Sequence, residues 1–179
     1  SVPIFLAPGI TRAHKTPVPD ITGAQQQETA MTQIAFIGGG NMATSIIGGL
    51  IKQGESKASL IHVSDPSAEQ RQTLQKNFGV QTHADNLDAI AKADVVIMAV
   101  KPQVMKTVLE PLQATLSKRQ PLLISIAAGI SLDSLRSWSG CKAIVRSMPN
   151  TPALLSLGAT GLFASKDVNI DQRNMADSL

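Results

Sequence analysis

The sequence has little of what several large classes of function require. It contains one cysteine, Cys141, and no tyrosine, and aromatic residues make up only 3% of its 179 residues. A single cysteine excludes a disulfide within the chain, so we expect a structural thiol and a cytoplasmic protein. Few aromatic rings and a net charge of +3 argue against nucleic acid as a partner. No apolar run approaches the ~20 residues of a membrane span, so we expect no membrane partner either.

Residues 1–30 differ in composition from the rest of the chain. They contain four prolines and a run of three glutamines, with neither helical nor strand periodicity. We therefore expect residues 1–30 to be a disordered leader or the remnant of a tag. Residues 31–179 are expected to form one domain, with Met31 as the natural start of the chain.

After Met31, short apolar runs alternate with amphipathic ones, which is typical of an α/β domain with a parallel sheet. The pattern predicts strands at 33–37, 60–64, 80–82, 94–100, 122–127, 142–148 and 158–164. It predicts helices at 41–53, 67–77, 86–92, 103–116 and 132–138, and a last helix from about Asp171. The helix over 103–116 is expected to be interrupted near Pro111, and Ser131 is expected to cap the helix that follows it.

The first predicted strand runs directly into the segment Gly38–Ala43, which opens a helix. Gly38, Gly40 and Ala43 occupy the three small-residue positions of the fingerprint G-x-G-x-x-G/A. Gly38 allows a tight turn, Gly40 lets a cofactor approach the backbone, and Ala43 lets the helix pack on the strand. Because the N–H groups at a helix start are unpaired and partly positive, the segment is predicted to bind a dinucleotide pyrophosphate. The alternative is a glycine-rich turn without a ligand.

The second predicted strand ends at the segment Ser64–Pro66. An acid about 20 residues beyond the fingerprint usually accepts hydrogen bonds from the ribose 2′-hydroxyl of NAD, and Asp65 lies near that distance. Arg71, further along the next helix, could instead meet the 2′-phosphate of NADP. Asp65 could equally be a helix cap before Pro66, at the start of the helix predicted over 67–77. The choice between NAD and NADP stays open at this point.

Two further loops follow predicted strands. Pro102 suits the first turn of a helix, and Lys101 beside it is either a ligand contact or a solvated side chain. The small residues of the segment Ser125–Gly129 would let a flat ring approach the backbone closely, or they reflect tight packing alone.

The segments Gly38–Ala43, Ala99–Pro102, Ser125–Gly129 and Met148–Ala153 resemble, in order and spacing, those of pyrroline-5-carboxylate reductase. The resemblance covers residues 31–179. It implies a Rossmann-type, doubly wound, mostly parallel sheet that binds NADPH in preference to NAD, and no metal. Asp65 departs from a pattern that would leave room for a 2′-phosphate. The positions that match the family's cofactor site are Gly38, Gly39, Gly40, Asn41, Met42, Ala43, Ser64, Asp65, Pro66, Asn86, Ala99, Val100, Lys101, Pro102, Ile126, Ala127 and Ala128.

The same resemblance implies an enzyme of proline biosynthesis that reduces 1-pyrroline-5-carboxylate to L-proline. Members of the family continue into a helical domain that forms the dimer and much of the substrate pocket. Its Ser-Gly-Ser-Gly-Pro and Pro-Gly-Gly-Thr-Thr stretches do not occur here. We therefore expect the cofactor-binding half alone, a truncation or a fragment, with no catalytic residue and an oligomer only where the helical domain is present. The turn Met148–Thr151 is the candidate for facing the substrate, or it only shapes the pocket wall.

Two alternatives remain from the sequence. One is another reductase of the same plan, such as a β-hydroxyacid dehydrogenase. The other is an isolated, non-catalytic dinucleotide-binding module or remnant. A chain without its second domain would also expose apolar surface, which predicts weak solubility or self-association.

Overall fold

The computed structural model describes residues 32–148 and 161–164 of the chain. The expected leader, the start at Met31, the turn Pro149–Pro152 and the helix from Asp171 lie outside these residues.

The strands form one sheet of seven in the order β3-β2-β1-β4-β5-β6-β7. All neighbours are parallel except β6 and β7, which are antiparallel. The predicted α/β class with a mostly parallel, doubly wound sheet is therefore confirmed. The strands are β1 (Ile34–Ile37), β2 (Ile61–Ser64), β3 (Gln81–His83), β4 (Val95–Met98), β5 (Leu122–Ser125), β6 (Ile144–Met148) and β7 (Gly161–Ala164).

The helices occupy the predicted connections, with small differences at their ends. Ser131 caps α6 as expected, since its Oγ accepts a hydrogen bond from the Ser134 N–H at 3.1 Å. The interruption at Pro111 is also confirmed, because a 3₁₀ turn over Glu110–Leu112 separates α4 from α5. The helices are α1 (Asn41–Lys52), α2 (Ala68–Phe78), α3 (Asn86–Ile90), α4 (Met105–Leu109), α5 (Gln113–Arg119) and α6 (Leu132–Ser139).

The core lies in two layers, one on each face of the sheet. All four residues of β1 are buried, as expected for a central strand covered on both faces. Ile34 and Phe36 contribute to the layer beneath α1 and α2. Ala35 and Ile37 contribute to the opposite layer, beneath α3 to α6. Alternating side chains of one short strand thus hold the two helical layers together.

The order of the strands determines where a ligand can bind. After β3, at one edge of the sheet, the chain crosses back to β4 on the other side of β1. The loops that leave β1 and β4 therefore diverge and leave a crevice at the carboxyl ends of these strands. None of the helices in the described residues has the length and apolarity needed to cross a membrane.

Candidate functional site

The glycine turn after β1 packs tightly against its neighbours. Gly38 has φ +98°, a conformation that L side chains rarely adopt, and its N–H donates to the Ser64 carbonyl at 2.9 Å. A Cβ at position 38 would lie 2.5 Å from the Ala99 carbonyl oxygen. Position 38 therefore requires glycine because the β4 loop passes directly beside it.

The start of α1 is open. Gly40 is its N-cap and supplies no side-chain hydrogen bond, whereas α2, α3 and α6 are capped by Ser67, Asp85 and Ser131. A Cβ at Gly40 would meet no atom within 4 Å. No side chain therefore caps the first N–H groups of α1, and the approach to Gly40 is open, as an anion site at a helix start requires.

The peptide groups around Gly39 are held by side chains from the loop after β2 and from α2. The Gly39 N–H donates to Oδ2 of Asp65 at 3.0 Å, and Oδ1 of the same carboxylate accepts from the Ser67 N–H at 2.8 Å. Nε2 of Gln70, on α2, donates to the Gly39 carbonyl. Gln70 was not predicted from the sequence, because a glutamine in a polar helix carries no signal of such a contact.

The interpretation of Asp65 as a helix cap is wrong. The N-cap of α2 is Ser67, whose Oγ accepts from the Gln70 N–H at 3.2 Å. Pro66 separates the two residues and lets Asp65 turn back toward the glycine turn. Arg71, on α2, contacts the same loop, since its Nη1 donates to the Asp65 backbone carbonyl at 2.7 Å.

The structure brings Asn86 to the site, although only its spacing suggested this position. Ser64 is buried at the end of β2, and its Oγ donates to Oδ1 of Asn86 at 2.6 Å. Asn86 is the first residue of α3 and is only half-buried. The carboxyl end of β2 and the start of α3 thus meet beside the glycine turn.

The loops after β4 and β5 complete the same edge of the sheet. The Ala99 N–H donates to the Ile37 carbonyl at 2.8 Å, which continues the β1–β4 pairing by one residue. Pro102 opens a 3₁₀ turn as its ring favours, and Lys101 before it is exposed. After β5, Ile126 and Ala127 are buried while Ala128 is exposed. Every predicted cofactor-site residue therefore lies at the carboxyl ends of β1, β2, β4 and β5 or at the start of α3.

Two histidines and a glutamine form a hydrogen-bonded row that crosses from the start of β1 over β2 to β3. His62 Nδ1 lies 2.9 Å from His83 Nε2, and His62 Nε2 lies 3.1 Å from Oε1 of Gln33. Burial lowers the pKa of His62, and the positive charges of His83 and Lys92 add to this effect. The His83 carbonyl also accepts from the Asp65 N–H at 3.2 Å. The backbone of His83 is therefore hydrogen-bonded directly to Asp65, the residue that holds the Gly39 N–H.

The other residues singled out from the sequence lie away from this crevice or outside the residues that the structure describes. Burial raises the pKa of the Cys141 thiol to about 11, consistent with a structural residue. Only Met148 of the turn Met148–Thr151 is described, at the end of β6. Within 32–148 and 161–164, no cluster of histidine, cysteine and acidic residues could hold a metal ion.

Comparison with known proteins finds relatives of this chain among sequences and among solved structures. The chain is 49% identical over 148 residues to pyrroline-5-carboxylate reductase of Pseudomonas aeruginosa, covering 82% of this chain and 54% of that protein. The solved pyrroline-5-carboxylate reductase of Coxiella burnetii is 40% identical with TM-score 0.77, covering 83% of this chain and 56% of its own. That of Plasmodium falciparum, solved with NADP bound, is 26% identical with TM-score 0.68, covering 84% and 56%.

The chain thus spans about half the length of the relatives that it matches. The resemblance to the cofactor-binding half of pyrroline-5-carboxylate reductase is confirmed. A family model described as NADP oxidoreductase, coenzyme F420-dependent, matches residues 33–129. The chain therefore belongs to this family of oxidoreductases.

Proposed function

We propose that this chain is the NAD(P)H-binding part of a pyrroline-5-carboxylate reductase, an enzyme of proline biosynthesis. The observation that carries the proposal is the uncapped start of α1, which faces open space beside the switch point of the sheet. The names of the relatives from Pseudomonas aeruginosa and Coxiella burnetii support 1-pyrroline-5-carboxylate as the substrate.

Each part of the site has a proposed role. The segment Gly38–Ala43 binds the pyrophosphate through backbone N–H groups at the start of α1, since those of Gly38 and Gly39 are already bonded to Ser64 and Asp65. The segment Ser64–Pro66 and Asn86 border the adenosine ribose, because they lie beside the glycine turn at the end of β2. The segments Ala99–Pro102 and Ile126–Ala128 border the nicotinamide on the other side of the switch point, where small side chains leave room for a flat ring.

We propose NADPH as the preferred coenzyme. Both carboxylate oxygens of Asp65 accept from backbone N–H groups, so this side chain is already engaged within the protein. Arg71 uses one N–H of its guanidinium on the Asp65 carbonyl and has others that can meet a 2′-phosphate. The Plasmodium falciparum relative was solved with NADP bound, which supports NADP as a ligand of this site.

The proposed reaction needs little covalent chemistry from the chain. Bound NADPH supplies a hydride to the carbon of the substrate C=N bond, and the nitrogen takes up a proton. The residues of this chain position the two reactants. The turn Met148–Thr151 is proposed to face the substrate. We assign no proton donor to this chain, and we propose that the rest of the relatives' length supplies it together with the oligomer interface. The free, buried Cys141 supports a cytoplasmic location.

The first experiment is titration of the 179-residue chain with NADPH and with NADH, followed by cofactor fluorescence. We expect saturable binding of both, with NADPH the tighter. Gly40→Val should weaken both by at least about tenfold, since it fills the open approach to α1. Gly49→Ala is the matched control, because a Cβ in the interior of α1 also meets no atom within 4 Å. A folded chain that binds neither dinucleotide would contradict the proposal.

A further inference from the structure

Gln70 lies outside every motif of the sequence, yet its amide contacts the backbone of the glycine turn. It is half-buried on α2, and its Nε2 donates to the carbonyl of Gly39. We propose that Gln70, together with Asp65, is a positioning residue that orients the Gly40 N–H toward the pyrophosphate. This inference rests on the proposed function of the glycine turn.

The geometry of one peptide group carries the argument. The Gly39 carbonyl and the Gly40 N–H belong to the same peptide unit, and all described peptide bonds are trans. In a trans peptide the C=O and the N–H point in opposite directions. When Gln70 holds the carbonyl toward α2, the Gly40 N–H must point away from α2. Gly40 is exposed, and a Cβ there would meet no atom within 4 Å, so an anion has room to approach this residue.

Asp65 fixes the preceding peptide in the complementary way. Its Oδ2 accepts from the Gly39 N–H at 3.0 Å, so this N–H is not available to a phosphate. The Gly39 N–H is thus turned toward the protein and the Gly40 N–H toward the crevice. Because two protein side chains impose this arrangement on the glycines, the anion site is preorganised.

The packing around Gly39 supports a fixed peptide rather than a mobile one. A Cβ at position 39 would lie 2.7 Å from Cδ1 of Leu74 and 3.3 Å from Cγ1 of Val63. The dinucleotide fingerprint leaves this position free to vary. Here α2 packs against the turn so closely that a larger residue would have to displace the end of the Leu74 side chain, and the same closeness brings Gln70 within reach of the turn.

The test uses Gln70→Leu, which removes the donor without changing charge, and Gln72→Leu, which makes the same change at an exposed position of the same helix. We expect Gln70→Leu to weaken the binding of NADPH and of NADH by the same factor, about three- to tenfold, which corresponds to the loss of one hydrogen bond. Gln72→Leu should leave both affinities unchanged. In ¹⁵N-labelled chain without ligand, Gln70→Leu should shift the amide signal of Gly40, and Gln72→Leu should not.

Each other outcome identifies what is wrong. Weaker binding of NADPH alone would mean that Gln70 recognises the 2′-phosphate, and would overturn the positioning role. Unchanged affinities with an unshifted Gly40 signal would overturn it as well. If the wild-type chain is folded and binds neither dinucleotide, the proposed function fails and this inference with it. Wild-type binding with an unaffected Gln70→Leu variant overturns this inference alone.

Discussion

Gly38→Ala is predicted to destabilise the fold strongly, although it adds only one methyl group. The new Cβ would lie 2.5 Å from the Ala99 carbonyl oxygen, and the backbone there has little freedom to move. The Ala99 N–H is bound to the Ile37 carbonyl at 2.8 Å, and the Gly38 N–H is bound to the Ser64 carbonyl at 2.9 Å. Relief of the clash must therefore disturb the pairing of β1 with β4 or the contact between β1 and β2.

The expected magnitude has two parts. A non-glycine residue at a φ of +98° costs about 1–2 kcal/mol. Overpacking against a fixed neighbour costs about 1–3 kcal/mol. Together they should lower the free energy of unfolding by roughly 2–5 kcal/mol, a large part of the total of a typical domain.

The assay is urea denaturation followed by circular dichroism. The free energies of unfolding of wild type and variant are compared after their m-values have been shown to be equal. Gly49→Ala is the control, since it replaces a glycine inside α1 with space for the methyl group. It should raise the free energy of unfolding by up to about 1 kcal/mol. If Gly38→Ala lowers the free energy of unfolding by less than about 1 kcal/mol, the turn is not held between β2 and β4 as described.

Two further predictions concern titratable groups. Cys141, with a pKa raised to about 11 by burial, should resist thiol reagents at neutral pH in the native chain and react after unfolding in urea. Rapid native labelling would contradict this burial. The pKa of His62 is lowered from 6.5 in the folded state, so the unfolded chain binds more protons as the pH falls through this value. Stability that is fully present above pH 6.5 should therefore decline below it, and His62→Gln should flatten the decline in urea titrations at several pH values. An equal decline in the variant would place the effect on other groups.

Much of the fold could be predicted because each local signal agreed with the global arrangement. The apolar run of β1 followed by Gly38 and Gly40 predicted a strand, a turn and a helix, and the structure has all three. The cap at Ser131 and the break at Pro111 follow from side-chain chemistry and needed no tertiary information. The antiparallel direction of β7 could not be read in this way, because it depends on pairing between distant segments.

The site was only partly predictable, for a similar reason. Asp65 and Ser67 are both residues that cap helices, and the sequence does not show which of them does so around Pro66. Gln70 looks like any polar residue on an exposed helix, since its partner is a backbone carbonyl far away in the chain. The row from His83 through His62 needs the register of two parallel strands. Contacts of this kind appear only when the chain is folded.

The start of α1 has a thermodynamic consequence. Ser67, Asp85 and Ser131 each cap a helix with a side-chain hydrogen bond. Gly40 gives α1 no such bond, and a Ser, Asp or Asn in its place would add about a few tenths of a kcal/mol, since glycine is itself an acceptable N-cap. Any anion that binds at α1 supplies the missing hydrogen bonds to the folded state alone, so it raises the free energy of unfolding by RT ln(1 + [L]/Kd). Because α1 begins without a side-chain cap, the fraction of folded chain should rise with the concentration of an anion that binds there.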